Sequence, residues 1–270
     1  MPPSAIVVIP ARLSSTRLPR KMLLAETGRT LVEHTWRNAA STPGTDATVV
    51  ATDSDEIAAV VRSFGGSAVM TSPEAASGTA RIVEALDRLP PADVIVNVQG
   101  DEPELPAAAI ELAVALLARC PEAGVATLVT PLRRRDDLDD PAAVKAVLTP
   151  WRHAAGAGGG WTGPIEDGCW RAITFSRAAV PHARDWSDSL LAAEPPLYWQ
   201  HMGVYAYRRW VLEAWDSLPP SRLAAHESLE QLRVVEAGIP IVAGAIAHAA
   251  RGIDTPKDYA AFVARERARG

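Results

Sequence analysis

The sequence has little cysteine, no excess of basic residues and no long apolar run. Its 270 residues include two cysteines, Cys120 and Cys169, which are too few for a metal cluster or a disulfide framework. The formal net charge of −5 argues against a nucleic-acid polymer as partner, because neutralising many phosphates requires a basic face. The apolar run Ala5–Ile9 is too short for a signal core or a membrane span and predicts a buried strand. We therefore expect a reduced, cytoplasmic setting and no membrane partner.

The first half of the sequence alternates short β-branched runs with segments of helical periodicity. The predicted strands are Ile6–Ile9, Thr48–Ala51, Ser67–Met70, Val94–Val98 and Val125–Val129. The predicted helices between them are Leu31–Ala40, Asp55–Phe64, Thr79–Leu89 and Ala107–Ala118. This alternation predicts an α/β fold with a mostly parallel sheet covered by helices on both faces. In such sheets ligands bind at the carboxyl ends of the strands, so the loops there are the candidate sites.

The second half is less regular. Strands are predicted at Ile173–Phe175 and Gly203–Tyr207, and helices at His226–Ala237 and over Leu212–Leu218, before two prolines. The segment Ala154–Gly160 is rich in glycine and alanine and is expected to be flexible.

The loop after the first strand concentrates cations and hydroxyl groups. Within Pro10–Lys21 lie four cations and three hydroxyl side chains: Arg12, Arg17, Arg20, Lys21, Ser14, Ser15 and Thr16. Such a loop suits a polyphosphate, because its charges offset the negative charge that builds on leaving oxygens. It lacks the glycines of a P-loop and of a dinucleotide-binding turn, which argues against a nicotinamide dehydrogenase. A surface loop with solvated arginines remains the alternative.

Two further loops carry carboxylates. The apolar strand Val94–Val98 leads into Gln99-Gly100-Asp101, where Asp101 is a natural Mg²⁺ ligand and Gln99 can bind a substrate hydroxyl or carboxylate. Capping of the next helix is the other interpretation of Asp101. Asp254 precedes Thr-Pro at a predicted helix start, so capping is the simpler interpretation unless it pairs with Asp101.

These motifs, in this order, resemble one family, the 3-deoxy-manno-octulosonate (Kdo) cytidylyltransferases, or CMP-Kdo synthetases. The resemblance covers nearly the whole chain. The segments that carry it are Ile9–Lys21, Ala51–Asp53, Ser77–Arg81, Asn97–Pro103, Val144-Lys145, Phe175–Arg177, His201–Tyr205, Leu229–Arg233 and Asp254–Pro256.

The resemblance implies a nucleotide-diphosphosugar-transferase-like Rossmann fold with a small second lobe, and a homodimer. The nucleotide-binding part would cover about 1–130 and 238–270, and an inserted lobe for the acceptor and for dimerisation about 131–237. It also implies Mg²⁺-dependent transfer of CMP from CTP to Kdo or a related keto-sugar acid, with release of pyrophosphate.

The resemblance further implies a role for individual residues. For nucleotide binding they are Ala11, Arg12, Ser15, Lys21, Asp53, Ser77, Gly78, Arg81 and Gly100. For the acceptor they are Gln99, Arg177, Arg184, His201, Tyr205, Glu230 and Gln231. Asp101 and Asp254 would bind Mg²⁺, and Arg12, Lys21 and Asp101 would be the catalytic residues.

The chain also departs from the family pattern. Ala75 and Ala80 replace a His and a Glu on the nucleotide side, and Arg20 stands where a glycine is typical. Ala224 replaces an acidic residue, and an extra stretch over about Trp151–Arg171 enlarges the second lobe. Two alternatives therefore stay open: a different acidic acceptor, such as a small phosphonate, and a non-catalytic nucleotide-binding homologue.

Overall fold

The computed structural model describes residues 3–153, 165–247 and 252–269. They divide into two compact units, residues 3–111 with 252–269 and residues 112–153 with 165–247. The segment Ala154–Gly160, expected from its composition to be flexible, lies outside the described residues. The predicted limits of the nucleotide-binding part and the inserted lobe stay predictions, because compactness does not identify a ligand.

The first unit is built on four parallel strands. Its elements are β1 (Ala5–Ala11), α1 (Leu31–Ala40), β2 (Ala47–Thr52), α2 (Asp55–Ser63), β3 (Ser67–Met70), α3 (Gly78–Ala85) and β4 (Val94–Asn97), and the boundary to the second unit falls within α4 (Ala107–Arg119). β1 lies between β2 and β4, and β3 pairs with the other edge of β2, with every pair parallel. The predicted alternation of strands and helices is confirmed here.

Capping side chains explain where three of these helices begin. Thr30 accepts a hydrogen bond from the Glu33 N–H at the start of α1, and Ser54 and Ser77 act in the same way for α2 and α3. A capping hydroxyl satisfies a backbone N–H that the helix itself leaves without a partner. The residues Ala5–Ile9 of β1 are completely buried, which fits a central strand covered on both faces.

The second unit has a mixed sheet. Its elements are β5 (Val125–Pro131), α5 (Arg135–Asp139), β6 (Lys145–Arg152), β7 (Ile165–Ser176), β8 (Trp199–Arg208), α6 (Arg209–Glu213), α7 (Arg222–Glu227), α8 (Gln231–Glu236) and β9 (Ile241–Ala245). β5 pairs antiparallel with β8 and parallel with β9, and β7 pairs antiparallel with both β9 and β6. The last helix, α9 (Pro256–Arg269), belongs to the first unit. The α/β fold class is confirmed.

Two helix predictions in the second unit were wrong. The predicted helix His226–Ala237 is two short helices, because Ser228 adopts a left-handed conformation with φ of 52° that ends α7. The helical segment predicted over Leu212–Leu218 is shorter than expected, since α6 ends at Glu213 and a single 3-10 turn follows over Trp215–Ser217. Apolar spacing alone does not show such breaks.

The described residues contain neither a disulfide nor a membrane-spanning helix. Cys120 and Cys169 are both buried free thiols, as their small number predicted. Within the described part of the chain, every helix is too short or too polar to cross a membrane.

Candidate active site

A cavity of about 200 Å³ opens in the first unit, where β1 and β4 end. This is the edge of the sheet at which parallel strands are expected to hold ligands. The residues that line it are Pro10, Arg12, Lys21, Met22, Ala75, Ala76, Ser77, Gly78, Arg81, Gln99, Gly100 and Asp101. Six of the nine residues predicted to bind nucleotide are in this set, together with Gln99 and Asp101.

Lys21 lies between two carboxylates in this cavity. Its Nζ is 2.5 Å from Asp101 Oδ2 and 3.1 Å from Asp254 Oδ1. A backbone hydrogen bond of 2.8 Å from the Ile253 N–H to the Asp101 carbonyl holds the two loops together, and Arg17 Nη2 is 3.0 Å from Asp254. The pairing of Asp254 with Asp101 that the sequence left conditional is therefore present. Their role as metal ligands stays a prediction.

Glu102 is a member of this acidic group that the sequence did not single out. It is buried, and burial together with the charges of Asp101 and Asp254 raises the pKa of its carboxyl to about 8. Its Oε2 has no hydrogen-bond partner in the described part of the chain. Glu102 is therefore mostly protonated near pH 7, and Asp101 and Asp254 carry the negative charge of this acidic group.

The acidic group also has the composition that Mg²⁺ prefers. The described residues hold no cluster of three or more His, Cys, Asp or Glu side chains with metal-binding geometry. Mg²⁺ does not require one, because it binds through one or two carboxylates and completes its shell with water and substrate phosphates. Asp101 and Asp254 could supply those two carboxylates.

Helix α1 supports the turn that carries Asp101. The Thr35 hydroxyl donates to the Gly100 carbonyl at 2.8 Å, and Asn38 Nδ2 donates to the Pro103 carbonyl at 3.2 Å. Gly100 is required by close packing, since a Cβ there would lie 3.0 Å from the Met22 sulfur. The position of Asp101 is thus fixed from the helix packed beside it.

The backbone that presents Lys21 is strained. Arg20 has a φ of 55°, in the left-handed region, and directly precedes the 3-10 turn Lys21–Leu23. This conformation explains why a glycine is typical here, because glycine has no Cβ to oppose it. The Arg20 side chain forms an ion pair with Glu56 on α2.

Asp53 and Arg81 form an ion pair of 3.0 Å beside the cavity. The Arg81 guanidinium is almost fully buried and also donates to the Thr71 hydroxyl and to the Ser72 carbonyl. The second oxygen of Asp53 accepts from the Leu13 N–H at 3.1 Å, so the pair anchors the cationic loop to β2 and α3.

The remaining predicted nucleotide residues divide between the cavity wall and its surroundings. Ser15 and Asp53 line a neighbouring surface groove, and Ala11 is the buried end of β1. Of the two alanines that replace a His and a Glu of the family pattern, Ala75 lines the cavity itself. Ala80 lies in the first turn of α3, where its N–H is bound by Ser77.

In the second unit, His201 and Tyr205 lie on β8 with their rings 5.3 Å apart. His201 is buried, packs against Phe175 and has its Nε2 3.0 Å from the Thr127 hydroxyl. Burial lowers the pKa of this imidazole to about 3, so the ring is neutral near pH 7. A neutral imidazole can form a hydrogen bond with a hydroxyl group, but it has no positive charge to offset the negative charge of a carboxylate.

The other predicted acceptor residues of this unit differ in what their side chains contact. Arg177, after β7, donates to the backbone carbonyls of Glu227, Pro141 and Ser228. Gln231 is buried, and its Nε2 has no partner within the described residues. Glu230 directly precedes α8. Arg184 is exposed, and its side chain forms no ion pair with any other described residue. The acceptor-binding roles of these residues stay predictions.

Two residues near this group were missed from the sequence. Glu227 accepts from Ser176 and from the Arg177 N–H, and Lys145 is completely buried with its ammonium donating to the Asp140 carbonyl. Lys145 was part of a family motif without an assigned role. Glu227 gave no signal, because a lone acid in a helix usually faces solvent.

Comparison with known proteins adds independent information. A family model described as "Cytidylyltransferase" matches residues 6–241. The chain is 45% identical over 261 residues to a 3-deoxy-manno-octulosonate cytidylyltransferase of Rhodopirellula baltica, with coverage of 96% of this chain and 97% of the relative. It is 39% identical over 255 residues to an 8-amino-3,8-dideoxy-manno-octulosonate cytidylyltransferase of Shewanella sediminis, covering 93% and 94%.

A solved structure is similar over the same extent. A CMP:2-keto-3-deoxy-manno-octonic acid synthetase in complex with CTP superposes with a TM-score of 0.85 and 34% identity. The match covers 99% of this chain and 100% of that chain.

Proposed function

This chain belongs to the 3-deoxy-manno-octulosonate cytidylyltransferase family and is a nucleotidyltransferase, and from that membership we propose that it transfers CMP from CTP to Kdo, with Mg²⁺ as cofactor and pyrophosphate as product. The relatives named for this activity, at up to 45% identity over nearly the whole chain, support the substrates. The observation that carries the proposal is the Lys21 ammonium held between Asp101 and Asp254 in a cavity that Arg12 also lines.

The reaction requires that charge be controlled around the triphosphate. The acceptor's anomeric hydroxyl attacks the α-phosphorus of CTP, and the bond to the pyrophosphate breaks as negative charge grows on the leaving oxygen. Arg12 and Lys21 line the cavity and would supply positive charge to the phosphates, which stabilises the negative charge that develops in the transition state. Positioning by the cavity wall supplies the rest, since phosphoryl transfer needs little covalent help from the protein.

Asp101 and Asp254 are the residues that would hold Mg²⁺. When bound, the metal neutralises phosphate charge and polarises the phosphoryl group. Both carboxylates contact Lys21, and the hydrogen bond from the Ile253 N–H to the Asp101 carbonyl holds their two loops together.

The acceptor is the least constrained part of the proposal. Kdo is favoured by the more similar relative, and the 8-amino-3,8-dideoxy acid is a second candidate because a 39% identical relative is named for it. A small phosphonate is the other acceptor that the departures at Ala224 and Trp151–Arg171 left open. A site that hydrogen-bonds hydroxyl groups discriminates strongly against acceptors that lack them, because its buried polar groups are then left unpaired.

The decisive experiment measures pyrophosphate release from CTP with four acceptors in parallel: Kdo, 8-amino-3,8-dideoxy-manno-octulosonate, sialic acid and a small phosphonate. We expect turnover with Kdo, little with sialic acid or the phosphonate, and none when Mg²⁺ is removed by EDTA. Turnover on the 8-amino acid alone would replace Kdo with that acceptor. Turnover on the phosphonate alone would overturn the proposal.

A variant tests the metal assignment directly. Asp101→Asn removes one of the two carboxylate charges and should lower kcat by about 10²-fold or more, because electrostatic stabilisation in a dry site is a large term. Binding of Mn²⁺, followed by electron paramagnetic resonance, should weaken in parallel. Asp55→Asn, at the exposed start of α2, makes the same chemical change away from the cavity and should leave both measurements unchanged. Normal Mn²⁺ binding in Asp101→Asn would contradict the assignment.

Assembly and location complete the proposal. We expect a homodimer in the cytoplasm, as the family resemblance and the two free thiols suggest. Light scattering on the purified chain tests the dimer, and a mass near the monomer's 28.7 kDa would contradict it.

A further inference from the structure

The turn between α7 and α8 carries two of the residues predicted to bind the acceptor. Glu230 and Gln231 follow Ser228, which adopts the left-handed conformation with φ of 52° although it is not a glycine. Such a backbone costs on the order of 1–2 kcal/mol, so surrounding contacts must hold it. The source of those contacts therefore decides where Glu230 and Gln231 lie.

Glu227, the last residue of α7, contributes contacts that link the end of this helix to the end of β7. Its carboxylate accepts from the Ser176 hydroxyl at 2.6 Å and from the Arg177 N–H at 2.9 Å. Its own carbonyl accepts from Arg177 Nε at 2.7 Å, and the next carbonyl, that of Ser228, accepts from Arg177 Nη2 at 3.5 Å. The end of β7 and the end of α7 are thus joined by four hydrogen bonds around one acid.

Arg177 and Lys145 also bind backbone carbonyls of the segment between α5 and β6. Arg177 Nη1 donates to the Pro141 carbonyl at 3.0 Å, and the fully buried Lys145 ammonium donates to the Asp140 carbonyl at 2.9 Å. Hydrogen bonds from Ser176 and Arg177 lower the pKa of the Glu227 carboxyl, so it is ionised near pH 7 and balances these cations. Removing this carboxylate would leave the Ser176 hydroxyl and the Arg177 N–H without their acceptor, and so would loosen the end of β7 from which Arg177 reaches the Ser228 carbonyl.

The end of the turn has a free donor. Gln231 is buried, and its Nε2 has no partner in the described chain, although the cost of leaving such a group unpaired is about 1–3 kcal/mol. A hydroxyl or carboxylate oxygen of an acceptor would satisfy it. The direction of this donor depends on the turn that Glu227 holds.

We propose that Glu227 is a positioning residue for the acceptor: it never contacts the acceptor, and it sets acceptor affinity and hydroxyl selectivity by fixing the Ser228–Gln231 turn. The proposal rests on the proposed function, since it takes Kdo as the molecule that Gln231 meets. It adds a residue that the acceptor-binding set does not contain.

The test uses Glu227→Ala, which removes the carboxylate, and Glu227→Gln, whose amide oxygen can still accept one of the two hydrogen bonds. For Glu227→Ala we expect the KM for Kdo to rise at least tenfold while the KM for CTP changes less than twofold. Glu227→Gln should fall between this variant and the wild type, and it serves as the test if Glu227→Ala does not fold. The ratio of kcat/KM for Kdo to kcat/KM for an analogue lacking one hydroxyl should be lower in Glu227→Gln than in the wild type, and lowest in Glu227→Ala.

Glu236→Ala is the matched control. Glu236 on α8 also ties the two helices together, through the Ser221 hydroxyl, but does not contact the turn. It should therefore leave the KM for Kdo unchanged. Hydrogen exchange gives a readout independent of turnover: amides of residues 228–232 should exchange faster in Glu227→Ala, and those of α1 should not.

Two outcomes would overturn the inference. One is an unchanged KM for Kdo in both Glu227 variants. The other is an equal rise of both KM values with general loss of protection from hydrogen exchange, which would mean that Glu227 serves only stability. If the wild-type protein does not use Kdo, the proposed acceptor is wrong. This result needs no variant, so it is distinguished from a failure of the inference about Glu227.

Discussion

At the scale of the residue, kinetics can separate the contribution of the Lys21 charge to the chemical step from its contribution to CTP binding. Lys21→Ala should lower kcat by about 10²-fold and change the KM for CTP little, because its charge matters most as negative charge grows on the leaving pyrophosphate. Steady-state kinetics with varied CTP measures both. The exposed Lys257→Ala makes the same charge change in the same unit and should be neutral.

The opposite kinetic pattern would contradict this role. If only the KM for CTP rises in Lys21→Ala, the ammonium binds ground state and transition state equally well. Lys21 would then be a binding residue for the nucleotide and not a catalytic one.

Arg20 allows the strain beside Lys21 to be measured. Arg20→Gly and Arg20→Ala both remove the ion pair with Glu56, but only glycine relieves the Cβ at a φ of 55°. We expect the free energy of unfolding of Arg20→Gly to exceed that of Arg20→Ala by about 1 kcal/mol. Urea denaturation of the two variants measures the difference. Equal stabilities would show that the left-handed conformation costs nothing here.

Several cavity residues could be predicted because their sequence context is local. A dense cationic loop after a buried strand pointed to Arg12 and Lys21, and a Gly-Asp turn after another strand pointed to Asp101. Glu102 and Glu227 were missed for the opposite reason. Whether an acid is buried or exposed depends on packing against segments that are distant in sequence, so the spacing of residues along the chain does not predict its burial.

At the scale of the element, helix α1 positions the turn that carries Asp101, and no residue of α1 lines the cavity. Thr35→Val keeps the shape of the side chain and removes the hydroxyl that donates to the Gly100 carbonyl. We expect a loss of about 1–2 kcal/mol in the free energy of unfolding, and a fall in kcat/KM of roughly tenfold as Asp101 becomes less well placed. Urea denaturation and steady-state kinetics measure the two effects.

Thr35→Ser separates the hydroxyl from the methyl group. It keeps the donor and should restore most of kcat/KM. An equal loss of activity in the serine and valine variants would mean that packing, and not the hydrogen bond, holds the turn.

The helices and strands show where sequence patterns suffice. β1 to β5 and α1 to α4 were predicted to within about two residues, because each pairs an apolar run or stripe with a cap or turn. The exception is the predicted helix Thr79–Leu89, in which α3 ends at Ala85 and a 3-10 turn follows over Leu86–Arg88. Strands β6 and β9 were not predicted. For β6 the reason is that Lys145–Arg152 includes Pro150 and has charged ends, which are unusual in a strand. The break at Ser228 was missed because Glu227 and Arg177, which are far apart in sequence, stabilise it.

At the scale of the whole molecule, nucleotide binding should appear as selective stabilisation. A ligand that binds only the folded state raises the free energy of unfolding by about 2.7 kcal/mol at one hundred times its Kd. For a chain of this size that corresponds to a Tm rise of roughly 5 °C or more. We expect it for CTP with Mg²⁺, and a much smaller rise for other nucleoside triphosphates and for NAD, in a thermal-shift panel. Stabilisation by NAD and not by CTP would contradict the assignment of the cavity.

The carboxylate pair also has a consequence for biosynthesis. Lys21 and Asp101 are translated before the second unit, whereas Asp254 is translated after it. At about 5–20 residues per second, roughly 8 to 30 seconds separate the synthesis of the two acids that contact Lys21. A nascent chain therefore has the cationic loop but only half of the acidic pair. The contacts of Lys21 with both acids therefore form only after the second unit has been synthesised, and premature termination anywhere before Asp254 yields a chain without them.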